Sequence, residues 1–277
     1  MQTINKNITT LSSVFPEWEE ISNRYNDILV NHKNIILDSA KRQEKEESLF
    51  WEEFAFELII TMLLAKQIPF EASVKDIQPL VRDLNGIEKE IDFRIRIKHK
   101  EIYFGVTHFY GRPKDLKKDK KQIDVDVYNI KRNGVLQSKE GKILSIRPQT
   151  EYLNRRIVVR VASEGKQKFG NDYIYIIFPK IDLGFGGGLD GISKEFTFSS
   201  NYEYRPVGIT GLILIGEYVE LTPECSSPQE DMLLIRTLSF NNCSNIMKTI
   251  LLNFDMNLIN MRLRNKQVRA ILQNDSE

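Results

Sequence analysis

The stretch EIDFRIRIKHKEIYFGVTHF, residues 90–109, decides the fold. Its first half alternates, with Ile91, Phe93, Ile95 and Ile97 on one side and Asp92, Arg94 and Arg96 on the other, the period of a half-buried β-strand. KEIYFGVTHF follows at once, so Lys98, His99 and Lys100 contain the reversal and the two runs form a hairpin. A reversal centred on His99 sets residue 92 opposite residue 106, because antiparallel partners keep a constant sum. Asp92 is therefore expected beside Gly105, Val106 and Thr107.

Working back toward the N-terminus, residues from Glu71 onward read as short extended runs, with Asp83, Asn85 and Gly86 forming a turn between two of them. The simplest reading is a three-stranded meander over 71–109. Before it, the segment from Pro16 to about Ala65 reads as helical. Its later part, SLFWEEFAFELIITMLLAKQI, repeats Trp51, Phe54, Leu58, Met62 and Ala65 at three and four residues, a buried stripe that Pro69 ends.

Working forward, GRPKDLKKDKKQIDVDVYNIKRNGVLQSKEGKILSIRP is basic, polar and without a long apolar face, and reads as an insertion carrying one irregular hairpin. A helix is expected from Thr150 to about Phe169, with Leu153, Ile157 and Val161 at helical spacing. DYIYIIF at 172–178 and GLILIG at 211–216 are continuous apolar runs of the kind found in buried central strands. GFGGGLDG at 184–191 lacks the Lys-Ser/Thr ending of a phosphate-binding loop and reads as a plain loop. The tail from Pro228 reads as two modest helices.

Composition fits an ordinary globular protein of 277 residues, with 41% hydrophobic, 28% charged and 10% aromatic residues. The net charge of +1 neither demands nor excludes a nucleic-acid partner, since phosphate binding depends on local basic surface. Cys225 and Cys243 have neither the spacing of zinc ligands nor the number of a disulfide framework, and read as plain thiols. No apolar run reaches the roughly 18 residues of a spanning helix, and MQTINKNITT lacks the basic and apolar regions of a secretory signal. A cytoplasmic location with no membrane partner is the expectation.

The order of helix, three strands, insertion, helix, two strands and helix resembles the PD-(D/E)XK superfamily of restriction-type nucleases. The chain carries a helical Glu57, an Asp92 on the second strand and a short motif on the third, over roughly residues 50–220. The resemblance implies an α/β fold, an α+β arrangement around a mixed sheet with a restriction-endonuclease-like core. Residues 1–49 would be an N-terminal helical extension, 50–220 the core with the basic insertion at 111–149, and 221–277 a C-terminal helical tail.

It also implies a chemistry. Phosphodiester hydrolysis needs hard divalent ions held by oxygen ligands, which polarise the phosphate and activate a water, and a lysine that stabilises the developing charge. Asp92, Glu57 and the main-chain carbonyl of Val106 would hold Mg²⁺ or Mn²⁺. The family's Glu-x-Lys reads Gly105-Val106-Thr107 here, so its glutamate is missing and Thr107 replaces its lysine. Some branches move that lysine to the next helix, where Lys168 or Lys166 is available. Thr107-His108 also resembles the pair that very short patch repair endonucleases use around their metal, although alternation sets His108 on the face opposite Thr107. Glu52 and Glu53 read as solvated helix surface.

DNA is the partner that the resemblance implies, with phosphate contacts from Arg112, Lys114, Lys117, Lys118 and Lys121. A homodimer would suit an enzyme that cuts two strands. Two functions follow. One is a metal-dependent DNA endonuclease with a rearranged site, and the other is a nuclease fold without catalysis that serves as a nucleic-acid-binding or assembly module. They part at Gly105, which opens either onto a metal site or onto packed side chains. A third reading, a generic α+β protein, is favoured if 71–109 is not a contiguous meander.

Overall fold

In the computed structural model of the chain, residues 15–33, 39–109, 157, 159–161, 163, 172–179, 208–217, 232–240, 243–254 and 258–260 are described. They form a mixed α/β arrangement around a six-stranded mixed sheet. Helix α1 (Trp18–Lys33) and the long α2 (Ser39–Ala65) come first. A two-stranded antiparallel ribbon follows, β1 (Leu80–Arg82) with β2 (Glu88–Glu90). The main sheet runs in order through β3 (Phe93–Ile97), β4 (Lys100–Phe109), β5 (Asp172–Pro179), β6 (Gly211–Glu217), β7 (Met232–Ser239) and β8 (Leu258–Asn260). Helix α3 (Asn245–Phe254) joins its last two strands. β4, β5 and β6 are parallel, and every other neighbouring pair is antiparallel.

Two apolar clusters lie on the two faces of this sheet. On one, Phe93, Ile95, Phe104, Ile174, Ile176 and Ile213 meet the buried sides of the three helices. On the other, Tyr103, Tyr173, Tyr175, Ile177, Leu212 and Leu214 pack with Ile157 and Val161, which are helical, as the spacing predicts. Continuous apolar runs such as YIYIIF arise because a central parallel strand is buried on both faces.

α2 ends as its sequence dictates. Gln67 takes a left-handed φ of 54°, Gln67 N donates to Leu64 O at 3.0 Å and Ile68 N to Leu63 O at 2.9 Å, closing the last carbonyls before Pro69. α2 also runs unbroken through residue 49, and Ile21, Tyr25, Ile28 and Leu49 share one core with the strands. The boundary expected at residues 49 and 50 therefore falls inside a continuous helix.

Four expectations are corrected. The segment 71–109 is not a contiguous meander, because Glu71 and Ile77 touch β3 only through isolated bridges, to Arg96 and Phe93. A 3₁₀ turn at Val74–Asp76 interrupts the segment, and its Asp76 side chain turns inward to arginines. Ile91 leaves the face of Phe93, Ile95 and Ile97 and joins the tyrosine cluster, because the chain bends at Asp92 before β3 begins. The β3–β4 reversal is centred between Lys98 and His99 (φ 49° and 65°), a two-residue turn that pairs Phe93 with Phe104 and so shifts the register by one. Finally, the tail is not wholly helical. Met232–Ser239 is a strand along β6, because its apolar residues complete the sheet. The insertion at 111–149, the glycine-rich run and Cys225 lie outside the described residues.

Candidate functional site

Asp92 sits at the bend where β3 starts, half-buried. Its carbonyl accepts from Gln78 N at 2.9 Å. Its carboxylate accepts from Val106 N at 2.5 Å, beyond the last ladder pair, Phe93 with Phe104. A buried strand amide needs an acceptor, and a charged one makes a strong bond. Asp92 thus ends the ladder by replacing main chain with side chain.

Gly105 faces the tyrosine cluster. A Cβ built there would lie 2.0 Å from the Tyr173 hydroxyl oxygen, 3.0 Å from Tyr173 Cζ and 3.0 Å from Tyr175 Cδ2. Both tyrosines are buried, and Arg160 Nε donates to the Tyr175 hydroxyl at 3.3 Å. Position 105 is therefore closed by aromatic side chains, the second of the two outcomes set out for it above. Thr107, half-buried, pairs with Ile177 of β5. His108 lies on the opposite face, stacked on Trp51 with ring centroids 4.8 Å apart and its Nδ1 3.4 Å from Glu47 Oε1.

Glu57 is buried at 5% exposure rather than solvated. Glu52, expected on the surface, is corrected, whereas Glu53 is half-buried. Glu52 is 3% exposed and accepts from Ser48 Oγ and Gln78 Nε2, both at 2.8 Å. Glu53 accepts from Ser22 Oγ at 2.6 Å. The physical reason is that α2 is apolar on nearly every side from Leu49 to Leu63, so an acid in that stretch has little solvent to face. That signal was readable in the sequence; the partners Gln78 and Ser22 were not.

Tyr25 of α1 completes this corner. Its hydroxyl is buried and has no hydrogen-bond partner among the described residues. Burial, then the charges of Glu52, Asp92 and Glu53, hold the phenol well above the usual tyrosine range. Burial likewise lifts Glu52 above the usual glutamate range, against the hydrogen bonds from Gln78 and Ser48 and the charge of Lys45.

Mg²⁺ is held by one or two carboxylates, with waters and phosphate oxygens completing its octahedron. Among the described residues no group of three or more His, Cys, Asp or Glu side chains is placed to hold a metal ion, and position 105 supplies no carboxylate. One Asp92 oxygen is engaged with Val106 N. Lys166, Lys168, Arg112, Lys114, Lys117, Lys118 and Lys121 lie outside the described residues. Among the described residues no helix is long and apolar enough to cross a membrane. No protein-family model, curated protein or solved structure matches the chain.

Proposed function

We propose that this chain is a nuclease-like α/β scaffold that holds a DNA backbone without cutting it. The observation that carries the reading is the Tyr173 hydroxyl, which occupies the space a side chain at position 105 would need. The β3–β4 hairpin leading into parallel β4, β5 and β6, with helical residues on both faces, supports a restriction-endonuclease-like core, whereas the interrupted segment before β3 is the feature that favours a generic α+β protein. The engagement of Asp92 with a main-chain amide supports a structural role for that carboxylate. Binding rests on Arg112, Lys114, Lys117, Lys118 and Lys121, which follow β4 directly in sequence and can contact phosphates of any sequence.

The test pairs duplex binding at several salt concentrations with plasmid incubation in Mg²⁺ and Mn²⁺, alongside calorimetric titration of each metal. The expected result is salt-sensitive binding and intact plasmid, with binding unchanged by Asp92→Ala. Replacing Lys114, Lys117, Lys118 and Lys121 by Glu should flatten the salt dependence by about 0.9 in log–log slope per lost phosphate contact. Plasmid nicking and metal binding that both vanish in Asp92→Ala would overturn the proposal in favour of a metal-dependent endonuclease. Absence of duplex binding would overturn it too.

A further inference from the structure

The tip of the β3–β4 hairpin is Lys98-His99, both residues in the left-handed region at φ 49° and 65°. A two-residue turn of this hand demands positive φ at both positions, which Asn-Gly adopts with little strain and Lys-His does not. Both residues are exposed, so burial does not offset the strain. Neither side chain forms a hydrogen bond or an ion pair among the described residues. Strain kept at an exposed position without a local partner points to a contact outside the fold.

The surroundings are basic. Lys100 opens β4 beside the turn, and its ammonium meets Asp172 Oδ2 at 2.9 Å at the start of β5. The same oxygen accepts from Ser244 Oγ, just before α3. Lys100 and Lys248 of α3 both act on the Cys243 thiol, which sets the exposed Lys248 at this end of the sheet. The acids nearby have partners already. Asp172 is buried against Lys100 and Ser244, and Glu101 turns to Arg94 and Arg96. Lys98, His99 and Lys248 therefore present donors to solvent, while Lys100 fixes the strand end.

Resting on the reading of this chain as a DNA-backbone binder, we propose that the Lys98-His99 turn, together with Lys248, is a second point of phosphate contact. It lies at the end of β4 opposite to the one from which the basic segment leaves. Ten residues of strand set the two ends about 30 Å apart, close to the about 34 Å of one helical turn of duplex, so one duplex can meet both. Lysine ammonium groups act as point charges and hold phosphates of any sequence.

The test is binding of the full chain to a labelled duplex of about two helical turns over a series of salt concentrations, paired with thermal unfolding. Lys98→Asn/His99→Gly should raise the unfolding temperature by about 2–4 °C, because the turn relaxes. The same variant should lower the log–log salt slope by about 0.9, one phosphate contact, and adding Lys248→Gln should lower it by about 0.9 more. A turn that serves the fold alone would gain stability without losing affinity. The proposal is overturned if the turn variant binds as the wild type does, if its stability does not rise, or if poly-glutamate binds the wild type more tightly than duplex at equal salt. Absence of duplex binding by the wild type removes the broader reading and this one with it, whereas binding untouched by the turn variant removes the turn alone. Binding lost in the turn variant but kept when Lys114, Lys117, Lys118 and Lys121 are replaced would uphold the turn and remove the basic segment. If the double variant does not fold, Lys98→Gln, which leaves the backbone as it is, decides by its slope.

Discussion

The strap Glu71–Pro79 is fastened through two buried carboxylates built on opposite electrostatics, its own Asp76 to the arginines of β3 and Glu52 of α2 to Gln78. Asp76 has no exposed surface, and its oxygens meet Arg94 Nη2 at 2.7 Å, Arg96 Nη2 at 3.0 Å, Ser73 N at 3.0 Å and Ser73 Oγ at 2.8 Å. Glu101 lies 3.1 Å from Arg94 and takes a hydrogen bond from the Tyr103 hydroxyl, which extends the network onto β4. Glu52 is almost as buried but has only amide and hydroxyl partners. Burial alone does not set a carboxylate's behaviour; the charge of its donors does. Asp76 is a charged rivet, and Glu52 is held by neutral donors.

The largest expected effect breaks the rivet. Asp76→Ala leaves two guanidinium groups, 18% and 32% exposed, without their shared anion, and should cost about 3–5 kcal/mol in denaturant unfolding. A loss below about 1 kcal/mol would make the two fastenings equivalent and remove the contrast.

A third buried polar group stands between these extremes. The Tyr173 hydroxyl fills space rather than carrying charge, so Gly105→Ala should cost about 1–3 kcal/mol through overpacking, with Tyr173→Phe recovering part of it in a double-mutant cycle. Full additivity would mean that the ring moves aside freely. Gly105→Glu should lose more stability still and gain no cleavage.

A smaller effect sharpens the comparison at Glu52, which burial lifts above the usual glutamate range. Glu52→Gln should raise stability at about pH 8 by about 0.5–1.5 kcal/mol and change little at about pH 5, as read by thermal unfolding. The smallest is at the ribbon turn, where Asp83 accepts from Asn85 N and Ile87 N and pairs with Lys89 at 3.0 Å. The Lys89 bond first, then the two amides, hold its carboxyl below the usual aspartate range. Its contribution is present above that range and fades as pH falls through the lowered value, so Ile87 amide protection should drop in acid, opposite in sign to the effect at Glu52.

These contrasts also mark what the sequence discloses. Alternation at Phe93, Ile95 and Ile97, the Asp83–Gly86 turn and the apolar runs of β5 and β6 were legible, because each reflects a local period or a local turn chemistry. The bend at Asp92 and the one-residue register shift were not, since left-handed φ at Lys98 and His99 has no strong signature in those residue types. The strap was read as a strand because a 3₁₀ turn closed by Ser73 and Asp76 is nearly as short as the strand it displaces. β7 was read as a helix because MLLIRTLS is too short for periodicity to arbitrate. Of the candidate site, Asp92 and its nearness to Val106 could be derived from the hairpin. Tyr173 beneath Gly105 could not, because 62 residues of chain, 110–171, separate two strands whose parallel register no local rule fixes.

The pairing of Gly105 with Tyr173 also limits what a single substitution can do. A carboxylate cannot enter position 105 while Tyr173 keeps its ring in place, and a smaller residue at 173 leaves a hole until something fills it. Either substitution made alone therefore weakens the chain, and the two positions are coupled in whatever sequence this fold accepts.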